Sequence, residues 1–230
     1  MKVRIPTSLT HIALFFLLGF LCYEAHQLTR HLVGAALCGG FGRMTFTVAI
    51  TKEPCSLPTI VTLSGPLLTY GLAYLGMFLL QSRRTAVFGY ALIFASFAHL
   101  RFIQTLSGRG DELDLMQQWF GISNRFIVAA IVMMIGIPPI VAAFRAIANE
   151  RRVRVFIGSL LLPFPVLIAL LVGDRLLFGA SDQPTGAAIN GSLGPTVLGI
   201  ALLVVIVDII AVILFVVFSQ RTLARDIIRR

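Results

Sequence analysis

Five polar side chains crowd one stretch of otherwise apolar sequence: Glu24, His26, Gln27, Arg30 and His31, within Tyr23-Glu24-Ala25-His26-Gln27-Leu28-Thr29-Arg30-His31. Carboxylate, imidazole and guanidinium groups so placed can hold a metal ion, move a proton or form a buried ion network. At the helical turn of about 100° per residue, all five fall in one half of the helix surface, and Leu21, Ala25, Leu28 and Leu32 fall opposite. Lipid does not solvate such a polar half, so it belongs against the interior of a helix bundle. An interfacial anchor, with Arg30 snorkelling to the headgroups, needs fewer polar groups than this. A second polar group comprises His99, Arg101 and Gly108-Arg109-Gly110-Asp111-Glu112-Leu113-Asp114. His99 and Asp111 can join His26 and His31 in a rebuilt ligand set, and the acids can partner Arg30 and Arg101 in a polar cluster with Glu24. Glu112 and Asp114 are expected in a solvated acidic loop. Asp208 stands alone near the middle of the last apolar run, where it serves either as a proton or ion relay or as a neutral acid bonded to a neighbouring helix backbone.

The elements that must position these groups are membrane spans. Hydrophobic residues make up 57% of the 230-residue chain and charged residues only 13%, and the mean hydropathy is +0.92. A soluble domain of this composition could not cover its surface with polar groups. Apolar runs at 8–28, 59–80, 86–106, 125–145, 154–173 and 195–218 predict an all-α integral membrane protein of about six transmembrane helices, forming a single polytopic domain over residues 1–230. Pro138-Pro139 and Pro163 with Pro165 should kink helices four and five. The net charge of +9 sits in short runs between the apolar segments, so it speaks for topology against a lipid bilayer rather than for nucleic acid. Lys2, Arg4, Arg83, Arg84, Arg151, Arg152, Arg154, Arg221, Arg225, Arg229 and Arg230 outnumber the basic residues of the alternate loops, which predicts that both termini are cytoplasmic. The first helix is expected to stay in the mature protein, and Asn190-Gly191-Ser192 would be a glycosylation acceptor only in a secretory pathway.

That topology puts residues 39–58 on the outer side. Met44 to Thr51 alternates apolar with small polar residues, the period of a half-buried strand, after a turn allowed by Gly39, Gly40 and Gly42. A short outer-face strand or β-hairpin after helix one is expected, able to pair with an extended segment of another membrane protein. Cys38 and Cys55 flank it, either as a disulfide at its base or as two free buried thiols.

His26-Gln27-Leu28-Thr29-Arg30, followed by Leu32-Val33-Gly34-Ala35-Ala36-Leu37, resembles a decayed His-Glu-x-x-His helix of the site-2-protease-like intramembrane zinc metallopeptidases. In that family two histidines bind zinc and the glutamate is the general base. A β-hairpin and then a helix with a small-Gly-Pro turn follow, for which this chain has Met44–Thr51 and Ser64-Gly65-Pro66, so the likeness covers about the first 80 residues. The resemblance implies His26 as the first ligand and Asp111 as the candidate third. Gln27 stands where the base should be, and a carboxamide cannot take a proton from water at neutral pH. Arg30 stands where the second histidine should be, and a guanidinium has no lone pair for a metal.

The expectation is therefore a multi-pass protein of the bacterial inner membrane resembling a site-2-type metalloprotease, catalytically degenerate and binding or regulatory in role, with zinc not favoured. The alternatives are a haem-binding cytochrome using His26 or His31 with His99, and a small transporter centred on Asp208.

Overall fold

The computed structural model describes residues 2–181, 188–189 and 194–228, with side chains described for 2–179 and 194–220. The Asn190-Gly191-Ser192 triplet, Arg229, Arg230 and the side chains of Arg221 and Arg225 lie outside the described residues.

Six helices among these residues are long and apolar enough to cross a membrane: Leu9–Leu37, Pro58–Leu79, Ala86–Leu106, Arg125–Ala146, Arg152–Phe178 and Leu202–Gln220. The first is α1 (Leu9–Leu37), the second α2 (Pro58–Leu79). The third is broken into α3 (Ala86–Ala95) and α4 (Ala98–Leu106). A short α5 (Asp111–Phe120) precedes α6 (Arg125–Ala146), whose first turn is capped by the Asn124 side chain accepting from the Phe126 N–H at 3.0 Å. The fifth span is α7 (Arg152–Leu161) and α8 (Pro163–Phe178), and the last lies within α9 (Leu202–Ile228). Outward faces stay apolar, with Leu176 80% exposed and Phe78, Phe126 and Met134 near two-thirds, which suits contact with lipid rather than water.

Three differences from the periodicity have physical causes. The third span turns at Phe97, whose φ of +62° is left-handed and costly for a bulky residue. Its ring packs edge-on against Tyr23, 5.7 Å between centroids. The fifth span restarts at Pro163, which has no N–H to continue the preceding ladder. The last begins at Leu202 rather than 195, because the strands β5 (Thr196–Val197) and β6 (Ile200–Ala201) form a hairpin ahead of it.

Met44 to Thr51 is not one alternating strand. The chain reverses inside it, so β1 (Arg43–Met44) pairs antiparallel with β2 (Ala49–Ile50), Arg43 opposite Ile50. β1 also pairs in parallel with β6, Met44 opposite Ile200, giving a four-stranded sheet in the order β2-β1-β6-β5. Glycine is required at the contact: a Cβ on Gly42 would collide with the Ile50 carbonyl oxygen, and one on Gly199 with that of Gly42. A second small pair, β3 (Ala180–Ser181) and β4 (Ala188–Ile189), lies farther along the chain. Cys38 and Cys55 are joined as a disulfide between α1 and α2, at the base of the β1–β2 hairpin.

At the N-terminus, Val3 bridges to Ile147, and Lys2, Arg4 and Arg83 line one cleft. The N-terminal segment, the loop at Arg83 and the chain at Ile147 thus meet at one end of the bundle.

Candidate functional site

The polar arc of α1 faces inward. Glu24, His26, Gln27 and His31 are buried while Leu28 and Leu32 are exposed. The arc nevertheless splits between two sets of neighbours, because it spans about 160° and no single helix covers that width.

On one flank, His26 and Arg30 meet residues of α2, α4 and α5. Arg30 Nη1 donates to Asp111 Oδ1 at 3.0 Å, and Arg101 Nη2 donates to Asp111 Oδ2 at 3.1 Å. Arg101 Nε lies 3.5 Å from Glu112 Oε1, which also accepts from the Tyr70 hydroxyl at 3.1 Å. The two arginines and two carboxylates cancel in charge. Asp111 and Glu112 open α5, where the positive end of the helix dipole favours acids. Burial pushes the Asp111 carboxyl up, but Arg30 and Arg101 beside it outweigh that and hold it well below the usual carboxylate range.

His26 is fixed from both sides. Its Nδ1 is 2.9 Å from the Thr69 hydroxyl and its Nε2 is 3.1 Å from Arg101 Nη2. Arg101 Nη2 is also 3.3 Å from Nδ1, so the guanidinium stands against both ring nitrogens. An arginine cation thus already stands within 3.3 Å of both nitrogens that a metal could use.

Gly65, inside α2, lets this cluster close. A Cβ there would stand 2.5 Å from His26 Cε1 and 2.9 Å from Arg30 Cδ. Gly65→Ala is therefore expected to destabilise the protein by ~1–3 kcal/mol, the range for overpacking. Gly71→Ala on the same helix, with open space around the added atom, should be neutral or slightly stabilising. Thermal unfolding of the two variants in one detergent checks the contrast.

The sequence-predicted residues distribute as follows. His26, Arg30, Arg101 and Asp111 are brought together, with His26 Nε2 3.6 Å from Asp111 Oδ2. His31 and His99 stand apart from them: His31 Nε2 bonds the Leu198 carbonyl at 2.8 Å and His99 Nε2 the Leu160 carbonyl at 3.0 Å. Among the described residues no three His, Cys, Asp or Glu side chains group as a metal ion requires. The residues at the cluster do not fit zinc, since two guanidinium groups already hold the Asp111 carboxylate and Arg101 stands against both ring nitrogens of His26. Glu112 is not in a solvated loop but 7% exposed in the first turn of α5, drawn in by Arg101 and Tyr70; Asp114 is exposed. Glu24 lies on the other flank of α1, away from Arg30 and Arg101, and within electrostatic range of Asp208 on α9 and Asp174 on α8.

Asp174 was invisible to sequence reasoning. It falls one residue past the apolar run ending at 173, next to Arg175, and reads as the start of a loop. In the structure it is 1% exposed. Its carboxylate accepts from the Thr45 hydroxyl at 2.7 Å, from the Phe46 and Thr47 backbone N–H groups at 3.0 Å each, and from the Thr47 hydroxyl. The small polar residues of the alternating stretch were the available signal. Gln27 joins this turn by donating to the Thr47 carbonyl at 3.1 Å.

Comparison of the chain with family models, curated proteins and solved structures finds no match.

Proposed function

We propose that this chain is an integral membrane protein built like a site-2-type metallopeptidase but catalytically silent, in which an arginine–carboxylate cluster occupies the position of the metal centre. One observation carries the reading. His26 and Arg30, the two positions of the motif that would ligate, both face Asp111, the candidate third ligand, at 3.6 and 3.0 Å. Three separate segments converge where the resemblance calls for a metal, and the guanidinium groups of Arg30 and Arg101 supply the two positive charges a dication would bring. At 4 Å and an effective dielectric of 20, two unit charges repel by ~4 kcal/mol and a dication meets a guanidinium with about twice that. Gln27, with its amide donating to the Thr47 carbonyl, serves the fold where the family has its base.

The role that remains is binding or regulation. β2 (Ala49–Ile50) is an outer strand of the four-stranded sheet, and its edge can take an extended segment of another membrane protein by main-chain pairing. Our reading places the chain in the bacterial inner membrane with both termini cytoplasmic, supported by six spans and by the Lys/Arg asymmetry.

The test restores the motif. The double variant Gln27→Glu with Arg30→His is expected to gain bound zinc in proportion to protein, because Asp111 and His26 already face the vacated place. Metal analysis of native and variant proteins, purified side by side, checks it. A variant that folds and takes up no more zinc than the native protein would count against the resemblance.

A further inference from the structure

The flank of α1 opposite the arginines holds the strongest unpaired feature among the described residues. Glu24 is 4% exposed, and neither of its carboxylate oxygens has a hydrogen-bond partner. The Gln27 carboxamide oxygen, one turn away and also 4% exposed, has none either, nor does Asp208 Oδ1. All four free atoms are acceptors. The groups acting electrostatically on Glu24 are two acids, Asp208 from α9 and Asp174 from α8. Farther along the same face of α1, His31 is bonded to the Leu198 carbonyl. Asp174 is already held by four donors, three on Oδ2 and one on Oδ1. Arg30 and Arg101 are committed to Asp111 on the other flank.

A carboxylate without a partner at membrane depth is costly, so native proteins pair it, neutralise it or use it. The Tyr23 hydroxyl lies 3.4 Å from the Gln27 amide nitrogen, yet none of these four oxygens receives a hydrogen bond, and such a set calls for a positively charged occupant. Two ionisable carboxyls with one amide oxygen are too few for a divalent ion, which fits the absence of a three-residue metal-binding group among the described residues.

We propose that Glu24, with Asp208 and the Gln27 amide oxygen, forms an intramembrane site for one small monovalent cation, a proton or sodium. The site stands on different residues from the metallopeptidase-like cluster and survives if that resemblance fails. It gives the chain a binding property that the arginine cluster lacks.

The probe is dicyclohexylcarbodiimide, an apolar reagent that modifies protonated carboxyl groups inside membranes, applied to the intact protein in lipid vesicles across a pH series with and without sodium chloride. Choline chloride holds the ionic strength constant, and peptide mass mapping locates the adduct. Glu24 is expected to be modified while Asp174, held by four donors, is not. The rate should fall about tenfold per pH unit above the midpoint of a single-proton titration. Slowing by sodium at fixed pH identifies sodium as the occupant, and pH dependence alone identifies the proton. Asp208→Asn, which keeps the helix intact, should shift the midpoint of Glu24 modification. Glu24 left unmodified at every pH, or modified at a rate indifferent to pH, sodium and Asp208→Asn, overturns the proposal.

Discussion

Asp111→Ala should destabilise the protein by ~3–5 kcal/mol, the cost of leaving a buried charge without its counter-ion. The carboxylate receives one N–H from Arg30 on α1 and one from Arg101 on α4, while itself belonging to α5. Removing it strands two guanidinium groups, one of them on the largely buried Arg101. Glu112 can answer for Arg101 in part, through the 3.5 Å contact with Nε, but does not reach Arg30 in the structure. Asp111→Asn should cost less, because the shape and one acceptor survive. The pH behaviour follows from the sign of the shift. A carboxyl held below its unfolded value of about 3.9 contributes fully above that pH and loses its contribution as pH falls through the folded value. Unfolding midpoints should therefore show no loss from Asp111 between neutrality and about pH 5, and a loss only in strong acid. A midpoint for Asp111→Ala within a few tenths of a kcal/mol of the native protein would remove the cluster from the account.

Asp174→Ala should be comparably damaging but local in its effect. Four donors converge on this one carboxylate, two of them backbone N–H groups at the turn between β1 and β2. Each hydrogen bond to a charged acceptor is worth ~1.5–3 kcal/mol, and an orphaned buried N–H adds a penalty. The turn should open, and with it the β1–β6 pairing that ties residue 44 to residue 200. Amide hydrogen exchange over residues 43–50 is the readout, with protection expected to collapse in Asp174→Ala while the long helices keep theirs. Arg175→Gln, at the exposed neighbouring position, should leave protection unchanged. Equal protection in Asp174→Ala and native protein would show that the strands themselves hold the turn.

These two residues also mark how far the sequence can be read. The spans were legible because membrane-length apolar runs have few other uses. The inward polar arc of α1 was legible because helical periodicity puts Glu24, His26, Gln27, Arg30 and His31 in one half. What periodicity cannot say is which neighbour covers which part of that half, so Glu24 was grouped with Arg30 and Arg101 although the structure sends it toward α8 and α9. The acidic segment was legible as a source of partners for Arg30 and Arg101, but that Asp111 serves both, across 81 and 10 residues, is set by how α1, α4 and α5 pack. Asp174 carries no local mark for a related reason: an acid beside an arginine at the end of an apolar run is the ordinary composition of a loop, and only the Thr45–Thr47 turn, more than a hundred residues earlier, makes it a buried anchor. The break at Phe97 had no sequence cue, because neither glycine nor proline stands there.

The central claim, that Asp111 serves an ion cluster in the place of a metal centre, is tested most directly by a double-mutant cycle run with and without a chelator. Arg30→Gln, Asp111→Asn and the pair are unfolded under one condition, and the coupling energy is taken from the four stabilities. The account predicts a coupling of at least about 1.5 kcal/mol, in the range of close buried charge pairs, and a native unfolding midpoint that the chelator does not move. A coupling near zero, together with a native midpoint that falls when metal is stripped, would contradict it.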